Sequence, residues 1–330
     1  MSLQLNRLFW FFCGFAVAAA SWMGALAFIR DKPVPNAIFS QSIIDCKIEA
    51  ASLAEAWQGP KTFLVGGSSV AFGIDSQKIE TALGSKVVNF GCMAGIGPEM
   101  ILGSINPRLS SGDRVLFCWE YGLYRFKRRH EDITYLNLIF GPQNRLFSTY
   151  PLIDRLYLGM TLPIAHVRES FAHHINPYAD REIYKCGWEF DSSGNVRSNL
   201  GTVTTVEELN ERPLGSLLTK LTISTEVRGI ISEFLSTCRN QGVEVLATWP
   251  NIYAHPDYID KPTVTENIHL IRDFWVSFDV PVVGKAEDAM LGAEFFYDTM
   301  YHLNAKGVAI RTDRLIEDLR PWLVGSKSAN

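Results

Sequence analysis

The sequence predicts an α/β fold with a central parallel sheet, preceded by one N-terminal membrane-spanning helix. Short apolar runs that suit buried strands alternate with segments of helical periodicity. The first two of these runs end in glycine-rich turns, and a long uncharged segment precedes them all. Strands and helices in alternation favour parallel strands joined by right-handed crossovers.

Length and composition narrow the class of protein. A chain of 330 residues accommodates one domain of roughly 250 residues plus an appendage. The formal charge of -4 gives no reason to expect a nucleic-acid partner. The six cysteines form no C-x-x-C pair and no zinc-like spacing, so neither a metal nor another cofactor is predicted. Cys46, Cys186 and Cys238 are candidates for a disulfide in an oxidising compartment, with the pair left open.

The N-terminal segment from Leu8 to Ile29 contains no charged residue. At about 1.5 Å rise per residue, such a helix crosses a hydrocarbon layer of about 30 Å. The alternative is a cleaved signal peptide, because Ala25-Leu26-Ala27 resembles a cleavage site. The apolar run is longer than a usual signal core, which favours an anchor, and the remainder is exported in either case. We therefore predict an anchor and linker at 1–35 and a main domain at 36–330.

The first part of the main domain is predicted to alternate between helix and strand. Pro33 and Pro35 mark the linker before it, and Gly59-Pro60 stops its first helix. The predicted order is helix, strand, helix, strand, helix, strand, at 42–57, 62–65, 75–83, 86–90, 98–106 and 114–120.

This rhythm is lost between 121 and 222, which predicts a partly helical insertion that forms a lid or a partner surface. We interpret His173-His174 as exposed loop rather than metal ligands. The basic run 125–130 is interpreted as a solvated face, with anionic headgroups or a glycan as the alternative partner. The rhythm then returns as helix, strand, helix, strand, helix, at 226–241, 243–248, 265–278, 280–283 and 305–319.

Two distant stretches carry the candidate chemistry. The first strand ends at Gly66-Gly67-Ser68-Ser69, where open α/β sheets place their ligands. A serine hydroxyl needs an imidazole base, and the imidazole needs a partner on its other nitrogen. His302, with Asp298 four residues upstream, supplies both. We therefore predict Ser68 or Ser69 as nucleophile, His302 as base and Asp298 as its orienter.

Backbone amides beside glycines are the expected oxyanion donors. These are the N–H of Ser69 and that of Gly95 or Ala94, with Asn89 fixing the second loop by bonding its backbone.

Each motif also has a simpler interpretation. The glycine-serine turn could be an ordinary helix start with a serine N-cap. A phosphate-binding loop is disfavoured because neither Gly-x-Gly-x-x-Gly nor a following Lys-Ser/Thr is present. His302 could be a structural histidine, and Asp298 could be a turn residue.

These residues resemble the SGNH hydrolase superfamily, and within it the membrane-anchored O-acyltransferase-like branch. That branch includes proteins similar to the alginate and cell-wall O-acetylation factors and the D-alanyl transfer protein of Gram-positive walls. The family's Gly-Asp-Ser block with a later glycine matches Gly67-Ser68-Ser69 and Gly73, which selects Ser69. Its second block resembles Asn89 to Gly95, and its Asp-x-x-His block resembles Asp298 to His302 followed by Leu303-Asn304-Ala305-Lys306-Gly307.

The chain departs from this pattern in two places. The spacing from Asp298 to His302 is one residue longer than in the family. The Gly-x-Asn-Asp block is absent, and the equivalent strand end reads Trp119-Glu120-Tyr121. The site then uses two backbone donors, or takes a third from Tyr121, Asn251 or Asn304.

The resemblance implies an SGNH (flavodoxin-like) three-layer sandwich and an acyl-Ser69 intermediate. The expected reaction is transfer of an acyl group, acetyl first of all, to a hydroxyl of a cell-surface or secreted polysaccharide. The implied donor is a multi-span membrane O-acyltransferase, and the implied location is a bacterial cell membrane, with one span and the catalytic domain on the periplasmic or extracellular side. The alternatives are an esterase or deacetylase with water as acceptor, and a non-catalytic scaffold partner of a membrane O-acyltransferase.

Overall fold

A computed structural model describes residues 2–30, 32–130, 132–175, 189–212, 217–258 and 260–324. The chain divides into two compact units, one from 1–41 with 131–185 and one from 42–130 with 186–330. Cys186 of the predicted disulfide lies outside the described residues, and the Cys238 thiol is buried and free.

Thirteen α-helices and six strands lie in the described part of the chain. The helices are α1 (Ser2–Ile29), α2 (Pro35–Leu53), α3 (Ser68–Gly73), α4 (Ser76–Leu83), α5 (Pro98–Ile105), α6 (Ile133–Ile139), α7 (Asn144–Thr149), α8 (Leu152–Thr161), α9 (Ile164–Ile175), α10 (Val206–Glu211), α11 (Thr225–Gln241), α12 (Pro262–Val276) and α13 (Ala305–Val324). The strands are β1 (Lys61–Gly66), β2 (Lys86–Gly91), β3 (Arg114–Cys118), β4 (Glu244–Ala247), β5 (Ile252–Tyr253) and β6 (Met290–Leu291).

The second unit is built on a four-stranded parallel sheet in the order β2-β1-β3-β4. This confirms the predicted α/β fold with a central parallel sheet. All six residues of β1 are buried, as expected of a central strand covered on both faces. The order reverses between β2 and β3, on either side of β1, so the crevice beyond the carboxyl ends of β1 and β3 is the natural ligand site.

Helices cover both faces of this sheet because successive strand residues point to opposite sides. Leu64 and Leu116 pack in one cluster with Ile79 of α4 and Leu315 of α13. The neighbouring residue Phe117 instead packs against the rings of Phe234 in α11 and Trp275 in α12. Fully burying such apolar side chains stabilises the fold by about 1.5–3 kcal/mol each.

Several predicted boundaries shift for local reasons. The helix expected at 42–57 begins earlier, at Pro35, because proline suits the first helical turn. The third strand stops at Cys118, which leaves Glu120 beyond the sheet. Residues 280–283 form no strand, and their only pairing within the described chain is the parallel bridge between Val282 and Ala247. A helix directly after Gly67 was considered only as the alternative interpretation of the glycine-serine turn, and the N-cap of α3 is Gly67, with no side-chain capping bond, rather than a serine.

Other helix ends follow the sequence signals. Asp75 caps α4 by accepting hydrogen bonds from the amides of Gln77 and Lys78. Gly242 ends α11 in the left-handed conformation, at φ 71°, where a side chain would be strained. The basic run at 125–130 is not simply solvated, because Arg125 donates to the Thr219 carbonyl and Arg128 forms an ion pair with Glu99.

The first unit contains α1 and the helices α6 to α9. The segment Gln4–Ile29 of α1 is long and apolar enough to cross a membrane, and its side chains are largely exposed. The His173-His174 pair lies in the last turn of α9 rather than in a loop. His166 of the same helix is buried, its Nδ1 bonds Asn137 Oδ1 at 2.6 Å, and burial lowers its pKa to about 4.

Candidate active site

Ser69 lies at the carboxyl end of β1, as the second residue of α3. Its side chain is fully buried, and its Oγ has no hydrogen-bond partner among the described residues. An unpaired buried hydroxyl is costly, so such groups are found where a function retains them.

Glycines make this close packing of α3 against the strand ends possible. A Cβ on Gly66 would lie 2.2 Å from the Cys118 carbonyl oxygen, and one on Gly91 would lie 2.3 Å from the Ala71 amide nitrogen. Any side chain at these positions would push α3 away from the sheet. The glycine-rich turn therefore fixes where the Ser69 hydroxyl stands.

Glu120 is the residue that sequence reasoning did not assign to the site. It follows β3 by two residues, and only 3% of its surface is exposed. Its Oε1 accepts the Ser69 backbone N–H at 2.7 Å, while its Oε2 has no hydrogen-bond partner among the described residues. Burial raises the pKa of this carboxyl, and the hydrogen bond from the Ser69 backbone N–H, the adjacent Ser69 side chain and the nearby His302 oppose that rise.

The signal for Glu120 was present in the sequence. An acidic residue ends an otherwise apolar strand at the position where the resemblance expects a polar block. Its contact is with Ser69, which is 51 residues away in the chain. A contact over that sequence distance cannot be recognised from a local motif.

The predicted oxyanion donors differ in whether their backbone N–H groups already have an acceptor. The Ser69 N–H donates to Glu120 Oε1 and is thus already occupied. Ala94 and Gly95 lie in a 3-10 turn after β2 and are partly exposed. Within the described part of the chain, no acceptor contacts their amides.

Asn89 links β2 to α3, the helix that carries Ser69. Its side-chain amide donates to the carbonyls of Val70 at 2.9 Å and Ile74 at 3.1 Å. Its Oδ1 accepts the Gly91 N–H at 3.0 Å. One buried amide thus holds both the start of the second loop and the end of α3.

His302 and Asp298 form a pair despite their longer spacing. The His302 Nδ1 lies 2.7 Å from Asp298 Oδ1. Thr299 Oγ1 accepts the backbone N–H groups of Tyr301 and His302, which folds the intervening residues into a tight turn. Because a carboxylate accepts from Nδ1–H, the imidazole lone pair lies on Nε2, as a general base requires.

The His302 turn is attached to the helix that carries Ser69. The imidazole stacks on the Phe72 ring, with centroids 4.0 Å apart and planes within 6°. The Asn199 amide donates to both the Phe72 carbonyl at 3.1 Å and the Leu303 carbonyl at 2.5 Å. The structure thereby brings Ser69, Glu120 and His302 to the same end of the sheet.

The remaining predicted residues have different positions. Tyr121 is buried, burial raises its pKa, and its hydroxyl has no partner among the described residues. The Asn304 Oδ1 accepts the amides of Lys306 and Gly307 and so caps α13, while its amide donates to Thr202 and to the Glu294 carbonyl. Its side chain is therefore committed to structure.

Asn251 is similarly committed. Its amide donates to the Tyr301 carbonyl at 2.6 Å. A Cβ on Gly73 would lie 2.0 Å from its Oδ1, so the glycine makes room for it. The Asn251 amide therefore holds the turn that precedes His302.

Neither a metal cluster nor a reactive thiol accompanies these groups in the described chain. No group of three or more His, Cys, Asp or Glu side chains there is close enough to hold an ion. Burial raises the pKa of the Cys92 and Cys118 thiols to about 12, which leaves them protonated and unreactive.

Comparison with known proteins identifies no relative of this chain among family models or curated proteins. No protein-family model matches the chain, and no curated protein matches it significantly.

The substitution Gly67→Ala tests the packing around Glu120. The Gly67 backbone is extended, at φ -86°, so alanine meets no backbone strain, but its Cβ would lie 1.8 Å from Glu120 Oε2. We expect the free energy of unfolding to fall by about 2 kcal/mol, measured by denaturant titration, because overpacking forces the carboxyl to move. In a Glu120→Ala background the same change should cost much less.

Gly103→Ala is the matched control. Gly103 lies in α5, and apart from the helix's own backbone no atom lies within 4 Å of the place that an alanine Cβ would take. Alanine should therefore stabilise the helix by up to about 1 kcal/mol. An equal cost of Gly67→Ala with and without the Glu120 carboxyl would contradict the proposed clash.

Proposed function

We propose that this chain is a membrane-anchored, exported O-acyltransferase of the SGNH type that acts through an acyl-Ser69 intermediate. The observation that carries the proposal is an unpaired, buried Ser69 hydroxyl on the same helix that stacks against the Asp298-oriented imidazole of His302. Nucleophile, base and orienter are the groups that acyl transfer through serine needs.

In the first half-reaction, Ser69 Oγ attacks the carbonyl carbon of the acyl donor while His302 Nε2 takes the hydroxyl proton. The carbonyl π electrons move to oxygen and then return, and the bond to the leaving group breaks. His302 delivers its proton to the leaving group, which leaves acyl-Ser69. In the second half-reaction, His302 deprotonates a sugar hydroxyl, whose oxygen attacks the acyl carbon of acyl-Ser69. The bond from the acyl carbon to Ser69 Oγ breaks, and His302 returns the proton to Oγ, which restores the free serine.

Glu120 supplies the oxyanion stabilisation that the absent Asn provides in the family. As a neutral acid it donates its Oε2 proton to the oxyanion, while Oε1 keeps the Ser69 N–H. Its burial and raised pKa support this protonated form. A neutral buried carboxylic acid that donates in this way is an established solution to the same problem. The amides of Ala94 and Gly95 are the backbone donors.

The proposed location, acceptor and donor follow from the apolar helix α1 and from the resemblance to the membrane-anchored O-acyltransferase-like branch. The span-length helix α1 supports a single-pass membrane anchor. The bacterial cell membrane, with the catalytic domain on its periplasmic or extracellular side, is proposed from the resemblance alone. A polysaccharide is the proposed acceptor, and a multi-span membrane O-acyltransferase is the proposed donor.

Covalent labelling tests whether Ser69 is a nucleophile. We expect a fluorophosphonate probe to modify Ser69 of the detergent-solubilised chain, as detected by peptide mass spectrometry, and His302→Ala to abolish the adduct. Ser68→Ala is the matched control, because Ser68 is adjacent and partly exposed, and it should retain the adduct. An unreactive Ser69 in the folded wild type would favour the scaffold alternative.

The fate of the acyl group separates a transferase from an esterase. With an activated acetyl ester as donor, the wild type should form acetylated oligosaccharide when an acceptor glycan is supplied, and Ser69→Ala should form none. Chromatography with mass detection measures the acetylated oligosaccharide and the free acetate. Release of free acetate alone, across a panel of acceptor glycans, would overturn the transferase assignment in favour of the hydrolase.

Substitution of Glu120 tests its protonation state. If the neutral form donates, wild-type kcat falls as pH rises through the raised pKa of Glu120, because the donor proton is lost. Glu120→Gln keeps an acceptor and a donor at every pH, so it should retain activity and lose that alkaline decline. Glu120→Ala should lower kcat by about 10²–10³-fold.

Glu244→Gln is the control, since Glu244 is exposed at the opposite end of the sheet, and its profile should match the wild type. A Glu120→Gln variant as inactive as Glu120→Ala would show that the ionised carboxylate is required instead.

A further inference from the structure

The first unit holds a cavity of about 310 Å³ beside the end of the span-length helix. Its walls come from α1 and from the helices α6, α7 and α8, and they include Leu26, Phe140, Phe147 and Leu156. A volume of this size lies at the lower end of the range for ligand sites, which suits one chain of a larger amphiphile.

Specific contacts hold the helices around this cavity. The Trp22 indole N–H donates to the Gly159 carbonyl at 2.7 Å, and a Cβ on Gly159 would lie 3.1 Å from Leu26 Cδ1. The Phe28 ring stacks on Phe171 of α9, with centroids 4.3 Å apart. The cavity is therefore bounded by a fixed helix contact rather than by loose loops.

The charged part of the lining is basic, beside the neutral polar residues Asn144 and Ser148. Arg155 of α8 and Arg30, which follows the span, both line the cavity, and no carboxylate is among its described lining residues. The Arg155 Nε is buried and has no hydrogen-bond partner within the described chain. A guanidinium presents a rigid fork of donors that matches the geometry of a phosphate.

The outer surface beside the cavity exposes apolar side chains, whose contact with water is unfavourable. Five large side chains of α8 and the start of α9 are between 43% and 76% exposed: Leu152, Ile153, Leu156, Met160 and Ile164. An exposed apolar face on a helix packed against the end of a membrane-spanning segment fits the interfacial zone of a bilayer. That zone is where headgroups and the first methylenes of acyl chains lie.

We propose that this cavity binds an anionic phospholipid, with one acyl chain inside it and the phosphate paired to Arg155 and Arg30. The apolar wall accepts the chain, the two guanidinium groups neutralise the phosphate, and the exposed apolar face of α8 lies among neighbouring lipids. Bound lipid would fix the depth of the first unit in the membrane. This inference does not depend on the chemistry proposed for Ser69.

Lipid binding to the full-length chain in detergent tests the proposal. By native mass spectrometry and thermal unfolding, dioleoyl phosphatidylglycerol should bind about tenfold more tightly than dioleoyl phosphatidylcholine. Inorganic phosphate alone should not reproduce the shift in unfolding temperature. Arg155→Gln should remove the preference for the anionic lipid, and Arg155→Lys should keep part of it.

Arg145→Gln is the matched control, because Arg145 is an exposed arginine of α7 that does not line the cavity. It should leave the preference intact. Equal binding of the two lipids by the wild type, equal loss in both glutamine variants, or an equal shift with phosphate alone would overturn the proposal. Should Arg155→Gln fail to fold, the wild-type competition between the two lipids still decides.

Discussion

The hydrogen bond from the Ser69 amide to the Glu120 carboxyl joins the two central strands at their carboxyl ends. It requires the turn after β1 and the segment after β3 to approach each other with no side chain between them, and Gly66 and Gly67 provide that space. A carboxyl buried in this way must be neutral or strongly compensated, because an isolated buried charge is very costly. The position of the serine hydroxyl and the electrostatics around it therefore come from one contact.

The fold was largely predictable from local patterns. The strands β1, β2 and β4 and the helices α4, α5 and α11 coincide with apolar runs, caps and glycine stops that act within a few residues. The region from 121 to 222 was less readable, since apolar residues of α8 such as Leu152, Ile153 and Met160 are exposed, so its apolar pattern does not mark a buried face. The strand predicted at 280–283 is reduced to one bridge, between Val282 and Ala247. Strand formation there depends on pairing with the neighbouring strand and not on the propensity of the residues alone.

The site was predictable in part. Ser69, His302 and Asp298 stand in motifs whose spacing is local, and the Asp298–His302 contact forms within one turn. Glu120 and Asn199 were missed because their roles arise from contacts across the fold, 51 residues away for Glu120 and 127 for Asn199. A buried asparagine that bonds two carbonyls has no signature in a single sequence.

The bridge made by Asn199 also bears on how the chain matures. The amide connects the Phe72 carbonyl, near the start of the domain, to the Leu303 carbonyl, near its end, and itself comes from a third segment. Local structure at any one of these segments cannot organise the other two. A nascent chain therefore cannot complete this bridge until the segment around Leu303 has been synthesised and has folded against the earlier two.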